Sequence, residues 1–364
     1  AWTFFCLFMG MKRCINLAPH DIQDTLRRER PTCMCSVPRF WEKVYTGIQD
    51  KLSRVSAFKR MLMREAVKVG RRRNLHYKRL GLKVPRWLEL RYKFFDREIF
   101  APMRRVVGAD HGRMFPTAGA PLSNNITEYL IACGIPIEIG YGLSETTATV
   151  TCYPFKDYRI GSVGTKMPQV DIKIGDNNEV LVKGPTVMHG YYNKPEATID
   201  AFTPDGWLRT GDAGSIDDEG NLILTERLKD LFKTSNGKYI APQAIESRLG
   251  EDPYIEQVAV IGDQRKFVTA IIIPAFDRLK QYASTHNIKW ETLDQLVENP
   301  LIHHMIERRI DRLQRGFAQF ERIKRFVLLP KAFTIEDGEI TNTLKLRRPV
   351  IADHYAGQIE SMYQ

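Results

Sequence analysis

Apolar positions recur at helical spacing through most of the first hundred residues. DIQDTLRRERP (21–31) reads as a helix ended at Pro31, and RFWEKVYTGIQDKLSRVSAFKRMLMREAVKVG (39–70) keeps the spacing as far as Gly70. PRWLELRYKFFDREIF begins with Pro85 at a first helical turn. The pattern then changes. GRMFPTAGAPLS (112–123) reads as a strand and a glycine-rich turn, NNITEYLIACG (124–134) as a helix stopped by Gly134, and IPIEIGYGLSETTATVT (135–151) as strand, loop, strand. This order predicts an α/β layer with ligands at the strand ends.

From about Arg159 the periods shorten to two, with turn signals at GDNN (175–178) and DDEG (217–220), which predicts an antiparallel β-subdomain. Beyond LKDLFKTSNG the spacing predicts a helix over 242–249, strands EQVAVIGD and FVTAIIIPA, helices near 277–286 and 291–318, strand RFVLLP, and a polar hairpin before Pro349. The expected organisation is α/β over 1–157, antiparallel β over 158–228, and a small α+β domain over 229–364.

The composition belongs to an ordinary globular chain: of 364 residues, 43% are hydrophobic and 27% charged. The apolar opening AWTFFCLFMGM ends at Lys12 and Arg13, well short of the ~20 residues of a membrane span. With no positive n-region before it, it reads as a buried strand or helix cut at its upstream edge, in a piece of a longer chain. Six cysteines show no framework spacing, and Cys33-x-Cys35 lacks the second Cys/His pair of a zinc site. Reduced thiols and a cytoplasmic setting are expected.

Charge changes the picture in one segment. The whole chain carries +11, yet residues 54–105 hold 17 Lys/Arg against 4 Asp/Glu, a local +13 that leaves the remainder at −2. Aromatics are interleaved at Tyr77, Trp87, Tyr92, Phe94 and Phe95. The stripe reads either as a solvated face over a core or as a surface for a polyanion, with an anionic membrane favoured over nucleic acid.

Five strings hold chemistry-bearing residues. AGAPLS (118–123) reads as a plain turn or as a seat for a flat ring. In YGLSETT (141–147), Ser144 offers a hydroxyl, and Glu145 is either a surface carboxylate or a Mg²⁺ ligand beside phosphates. GWLRTGD (206–212) sets Asp212 at a strand end, suited to two ribose hydroxyls. ERLKDLFKTSNGKYIAP (226–242) and ITNTLKLRRP (340–349) add Arg227, Lys229, Lys233 and Lys345.

In this order, the five strings resemble the adenylate-forming superfamily and, within it, the long-chain fatty acid:CoA ligases, to which SVPRFWEKVYTGI (36–48) is also similar. The resemblance implies that Gly119, Ala120 and Pro121 line an adenine, with Tyr141 against its face, Glu138 or the backbone nearby, and Gly142 permitting close approach. Ser144 would touch phosphates, Glu145 would hold Mg²⁺, and Asp212 with Arg227 would clasp the ribose. Lys229 matches a hinge to a mobile C-terminal lid, Lys233 a contact to the adenylate, Gly237 the pantetheine path, and Lys345 the lysine of the first half-reaction.

The implied activity uses ATP, Mg²⁺ and CoA to activate a long-chain fatty acid through acyl-AMP. It suits a cytoplasmic protein with a peripheral place on the inner membrane face. The family's SGTTGxPKG-type phosphate loop does not occur in the 364 residues, so the chain alone is expected to be inactive in adenylation. Glu226 and Ala118 stand where the family often has Asp and Gly. The alternatives are a fatty acyl-AMP ligase that loads an acyl carrier protein, and a non-catalytic nucleotide- or membrane-binding fragment.

Overall fold

Proline, glycine and capping hydroxyls set most helix boundaries in the computed structural model, which describes residues 2–16, 21–147, 149–228, 230–341 and 345–364. The chain divides into two compact units, 1–228 and 229–364. The first begins with α1 (Trp2–Phe8), α2 (Ile22–Glu29), α3 (Pro38–Ser53) and α4 (Ala57–Gly70). Two expectations are corrected here. The helical run 39–70 is broken, because Ser56 leaves helical geometry and its hydroxyl caps α4 by accepting from Lys59 N. The apolar opening is a helix but not a buried one: Phe4 and Phe8 are 75% and 89% exposed, while Cys6 is covered.

A π-helical stretch (Arg71–Lys78) extends α4, followed by α5 (Arg86–Phe95), a second π turn (Asp96–Phe100) and α6 (Ala101–Val107). Then β1 (Phe115–Thr117), α7 (Asn124–Ala132) and β2 (Ile137–Tyr141) form a parallel βαβ unit in which Phe115 lies opposite Ile137. Its core joins Trp41, Leu88, Phe100, Phe115, Ile126 and Leu130, each almost wholly buried and contributing roughly 1.5–3 kcal/mol by the usual transfer scale. The indole of Trp41 also donates to Thr117 Oγ1 at 3.0 Å, which ties α3 to the end of β1.

Short strands β3 (Thr151–Cys152) and β4 (Thr165–Lys166) extend this sheet. Gly164 between them has φ +86°, and a Cβ there would lie 2.1 Å from the Cys152 carbonyl, so only glycine fits. Next come β5 (Asp171–Ile174), β6 (Glu179–Lys183), α8 (Pro195–Ala201), β7 (Leu208–Ile216) and β8 (Leu222–Arg227), whose strands make an antiparallel sheet in the order β5-β6-β7-β8.

The second unit opens with the hairpin β9 (Phe232–Lys233) and β10 (Tyr239–Ile240), then α9 (Pro242–Leu249), β11 (Ile255–Ile261), β12 (Val268–Pro274) and α10 (Phe276–Thr285). The expected helix over 291–318 is corrected to α11 (Leu293–Val297) and α12 (Pro300–Leu313). Pro300 has no amide hydrogen to continue the ladder, and Asn299 caps the new start by accepting from Leu301 N at 2.9 Å. β13 (Ile323–Leu328), α13 (Arg348–His354) and α14 (Ala356–Ser361) complete it.

The sheet runs β11-β12-β13, with the central strand buried along its whole length. Strand period two sends Val258, Val260, Ala270 and Ile272 to one core, and Ala259, Ile271 and Ile273 to another that includes Ile351 and Ile359. No described helix is long and apolar enough to cross a membrane.

Candidate active site

In the first unit the βαβ crossover sets the carboxyl ends of β1 and β2 side by side, the usual ligand position in such layers. Gly119, Ala120 and Pro121 follow β1 directly and are exposed. Gly119 has φ +96°, and nothing lies within 4 Å of where its Cβ would stand, so the backbone is open to a close approach. β2 delivers Tyr141 to the same end, followed by Gly142 and a short turn of Ser144–Thr146.

Three predicted residues come together here. The Tyr141 hydroxyl donates to Asp212 Oδ2 at 2.6 Å, and Arg227 Nε lies 3.5 Å from Asp212 Oδ1. The sequence separates them widely, but the antiparallel register places Asp212 opposite Arg227 across β7 and β8. Burial first, and the charge of Asp212 second, push the phenol of Tyr141 well above its usual range and keep it a donor.

Glu145 stands apart from this trio. Its Oε1 accepts from the Tyr191 hydroxyl at 2.9 Å, and its backbone carbonyl accepts from Met188 N at 2.7 Å. Tyr191 was not apparent from sequence, because GYYNK (190–194) is a loop without periodicity. One carboxylate with oxygen to spare suits Mg²⁺, which keeps several waters and binds mainly to substrate phosphates. Among the described residues no group of three His, Cys, Asp or Glu forms a metal cage. The six cysteines are free thiols.

Glu138 is not brought to Tyr141. Three positions earlier on β2, it sits in the neighbourhood of Cys33 and Cys152, whose thiols its charge helps to raise. Burial pushes its own carboxyl up to about 7.

In the second unit, Lys233 and Gly237 belong to the β9–β10 hairpin. Gly237 takes φ +77° and closes the turn by donating its amide to Thr234 O at 2.8 Å. Lys233 lies over the Tyr239 ring at 5.5 Å. Beside the hairpin is a cavity of about 320 Å³ lined in part by Lys238, Lys266, Arg322, Lys324 and Phe320. None of its four cationic side chains forms an ion pair among the described residues, and the sequence reading did not find the cavity because its lining comes from three separated segments. Lys345 is exposed on the hairpin before α13. The expected hinge, Lys229, lies outside the described residues.

A family model described as AMP-binding enzyme matches residues 1–192, and one described as AMP-binding enzyme C-terminal domain matches 229–364. The chain belongs to the AMP-binding enzyme family. Among curated relatives, long-chain-fatty-acid–CoA ligase FadD15 of Mycobacterium tuberculosis is 33% identical over 337 residues, covering 92% of this chain and 55% of the relative. The peroxisomal long chain acyl-CoA synthetase 7 of Arabidopsis thaliana is 29% identical over 352 residues, covering 92% and 49%. The chain thus spans about half the length of the curated family members it matches.

The adenylation domain of the carboxylate reductase from Mycobacterium chelonae superposes with a TM-score of 0.69 at 22% identity, covering 94% of this chain and 48% of that one. O-succinylbenzoate coenzyme A synthetase of Bacillus subtilis gives 0.57 at 19%, covering 96% and 56%. These likenesses show that the family fold is shared.

Proposed function

We propose that this chain is the adenylate- and CoA-handling part of a long-chain fatty acid:CoA ligase that forms AMP. The observation that carries the reading is Asp212, held between the Tyr141 hydroxyl and Arg227 at the carboxyl end of β2: a fixed carboxylate poised for ribose hydroxyls, with an open backbone seat for a flat ring after β1. Two curated relatives that match 92% of this chain are named as a long-chain-fatty-acid–CoA ligase and a long chain acyl-CoA synthetase.

In the first step a fatty carboxylate oxygen attacks the α-phosphorus of ATP and pyrophosphate leaves, giving acyl-AMP. Asp212 and Arg227 hold the ribose, Ser144 meets the phosphates, and the Lys345 ammonium bridges the carboxylate and the α-phosphate while charge builds on the nonbridging oxygens. Glu145 would hold Mg²⁺, which would supply positive charge for the departing pyrophosphate. In the second step the CoA thiolate attacks the acyl carbon and AMP leaves. CoA is favoured over a carrier protein by the cavity beside Gly237, where Lys238, Lys266, Arg322 and Lys324, without ion pairs among the described residues, suit the phosphates of a nucleotide-bearing thiol.

Peripheral contact with an anionic membrane belongs to the same reading. Support comes from α5, which presents Trp87, Leu90 and Phe94 to solvent at 46%, 68% and 53% exposure, at the i, i+3, i+7 spacing of one helix face. Arg86, Arg91 and Lys93 flank this stripe without ion pairs among the described residues, and the Arg72 guanidinium lies 5.1 Å from the Trp87 ring. Cations around an apolar helix face suit the headgroup layer, where a long-chain substrate is also concentrated.

The test is thioester formation from labelled palmitate, ATP, Mg²⁺ and CoA by the full-length polypeptide that carries this chain, with AMP titrated calorimetrically into residues 1–364. Acyl-CoA production and AMP heat lost on Asp212→Asn are expected. Acyl-AMP that passes only to a carrier protein, or AMP binding indifferent to Asp212, would overturn the reading.

A further inference from the structure

Lys345 lies in a short hairpin. Among the described residues its arms meet in one bridge, Ile340 to Leu346; Thr341 N donates to Lys345 O at 2.8 Å and Lys345 N to Thr341 Oγ1 at 3.1 Å. Isolated two-stranded hairpins are marginal in water, so its geometry depends on what anchors its ends.

Both ends are tied to carboxylates inside the unit. At the entering end Glu339, 2% exposed, accepts from Thr334 N at 3.0 Å and from the Tyr355 hydroxyl at 2.9 Å, with His354 Nδ1 at 3.2 Å. At the leaving end, three residues beyond Lys345, Arg348 donates to Glu246 Oε2 at 2.5 Å. Glu246 Oε1 accepts from Val260 N at 2.9 Å, so one carboxylate joins α9, β11 and the first residue of α13. These two side chains are 12% and 20% exposed, and Arg348 Nε is buried without a hydrogen-bond partner. Among the described residues, Glu246 is the carboxylate that pairs with this guanidinium.

We propose that the Glu246–Arg348 pair is a positioning element for Lys345. Glu246 is fixed by the sheet through Val260; it fixes Arg348, and Arg348 fixes the outgoing strand of the hairpin. A cation that stabilises charge developing on an α-phosphate is useful only when its position is set beforehand, because reorganisation during the reaction forfeits the benefit. The inference rests on the reading of Lys345 as the adenylation lysine. It adds that two residues which touch no substrate govern that step selectively.

The experiment compares Arg348→Met, Arg348→Lys, Glu246→Gln and Lys345→Ala in the full-length polypeptide, using two single-turnover assays: acyl-AMP from fatty acid and ATP, and thioester from supplied acyl-AMP and CoA. Arg348→Met is expected to slow the first on the order of 10- to 100-fold, as small misplacements of a catalytic group do, and to leave the second within about twofold, which also proves the variant folded. Arg348→Lys and Glu246→Gln, which keep part of the pairing, should fall between. Hydrogen exchange on residues 1–364 supplies a readout without catalysis: the Lys345 and Arg347 amides should exchange faster in Arg348→Met while those of β12 stay protected.

Equal losses in both half-reactions, or unchanged exchange at Lys345, would overturn the positioning role even where Lys345→Ala is selective. Acyl-AMP formation indifferent to Lys345→Ala would overturn the underlying reading of Lys345, and the proposal with it.

Discussion

The hydroxyl of Tyr141 donates to Asp212 Oδ2 at 2.6 Å across a sequence separation of 71 residues, joining the parallel layer to the antiparallel sheet within the first unit. A bond to a charged acceptor contributes about 1.5–3 kcal/mol, and losing it leaves the carboxylate short of a donor. Tyr141→Phe should therefore lower the stability of residues 1–364 by about that amount in urea unfolding. It should also weaken AMP binding by about tenfold, since Asp212 would no longer be held in place. A variant as stable as the parent that binds AMP equally well would make the contact incidental.

Glu145 faces a different demand. In the full-length polypeptide Glu145→Ala should raise the Mg²⁺ concentration needed for pyrophosphate release by about tenfold or more while AMP affinity stays within about twofold, because a metal bound largely through phosphates serves the leaving group and not the nucleoside. Parallel losses in both measurements would assign Glu145 a structural role through Tyr191.

Burial lifts the Glu138 carboxyl from an ordinary value near 4.5 to about 7. Between those values the folded state holds a proton that the unfolded state has released, so stability must fall as pH rises through this window and level off above it. Glu138→Gln cannot ionise and should flatten that part of the profile relative to the parent. Unfolding curves of the two proteins collected from pH 4.5 to 8 test this; parallel profiles would show that the carboxyl titrates normally.

The outer stripe of α5 predicts co-sedimentation of residues 1–364 with phosphatidylglycerol vesicles and little with phosphatidylcholine. Each well-placed cation near the surface contributes about 1 kcal/mol, and salt weakens it. The triple change Trp87→Ser, Leu90→Ser, Phe94→Ser should abolish the apolar part and reduce binding at least about tenfold. Binding that survives the triple change would move the contact elsewhere, and the same assay on the full-length polypeptide shows whether the stripe is free there.

Local pattern revealed the elements well where one face of each was buried. The helix over 242–249 and the strand pair around EQVAVIGD and FVTAIIIPA were visible because their apolar residues leave little choice of period. The breaks were less visible: Ser56 interrupts a run whose spacing continues on either side, and Pro300 divides another. Asp212 and Arg227 could be named as partners only through resemblance, since their meeting depends on a register that no local pattern encodes. Tyr191, Glu246 and the cationic cavity had no sequence signal at all, because each depends on segments brought together by tertiary packing.

The π-helical stretch over Arg71–Lys78 has a consequence for tolerated chain length. Its wide turn lets two consecutive residues serve two different neighbours: Arg73 pairs with Glu89 of α5 at 2.7 Å, and Asn74 donates to Ile131 O near the end of α7 at 2.9 Å. Removing one residue would restore ordinary helical winding and take away the extra residue that widens the turn. Arg73 and Asn74 could then no longer both face Glu89 and Ile131. Much of this stretch is polar and partly exposed, and a survey of substitutions alone would mark it as permissive. Insertions and deletions should be excluded from it as strictly as from a buried strand.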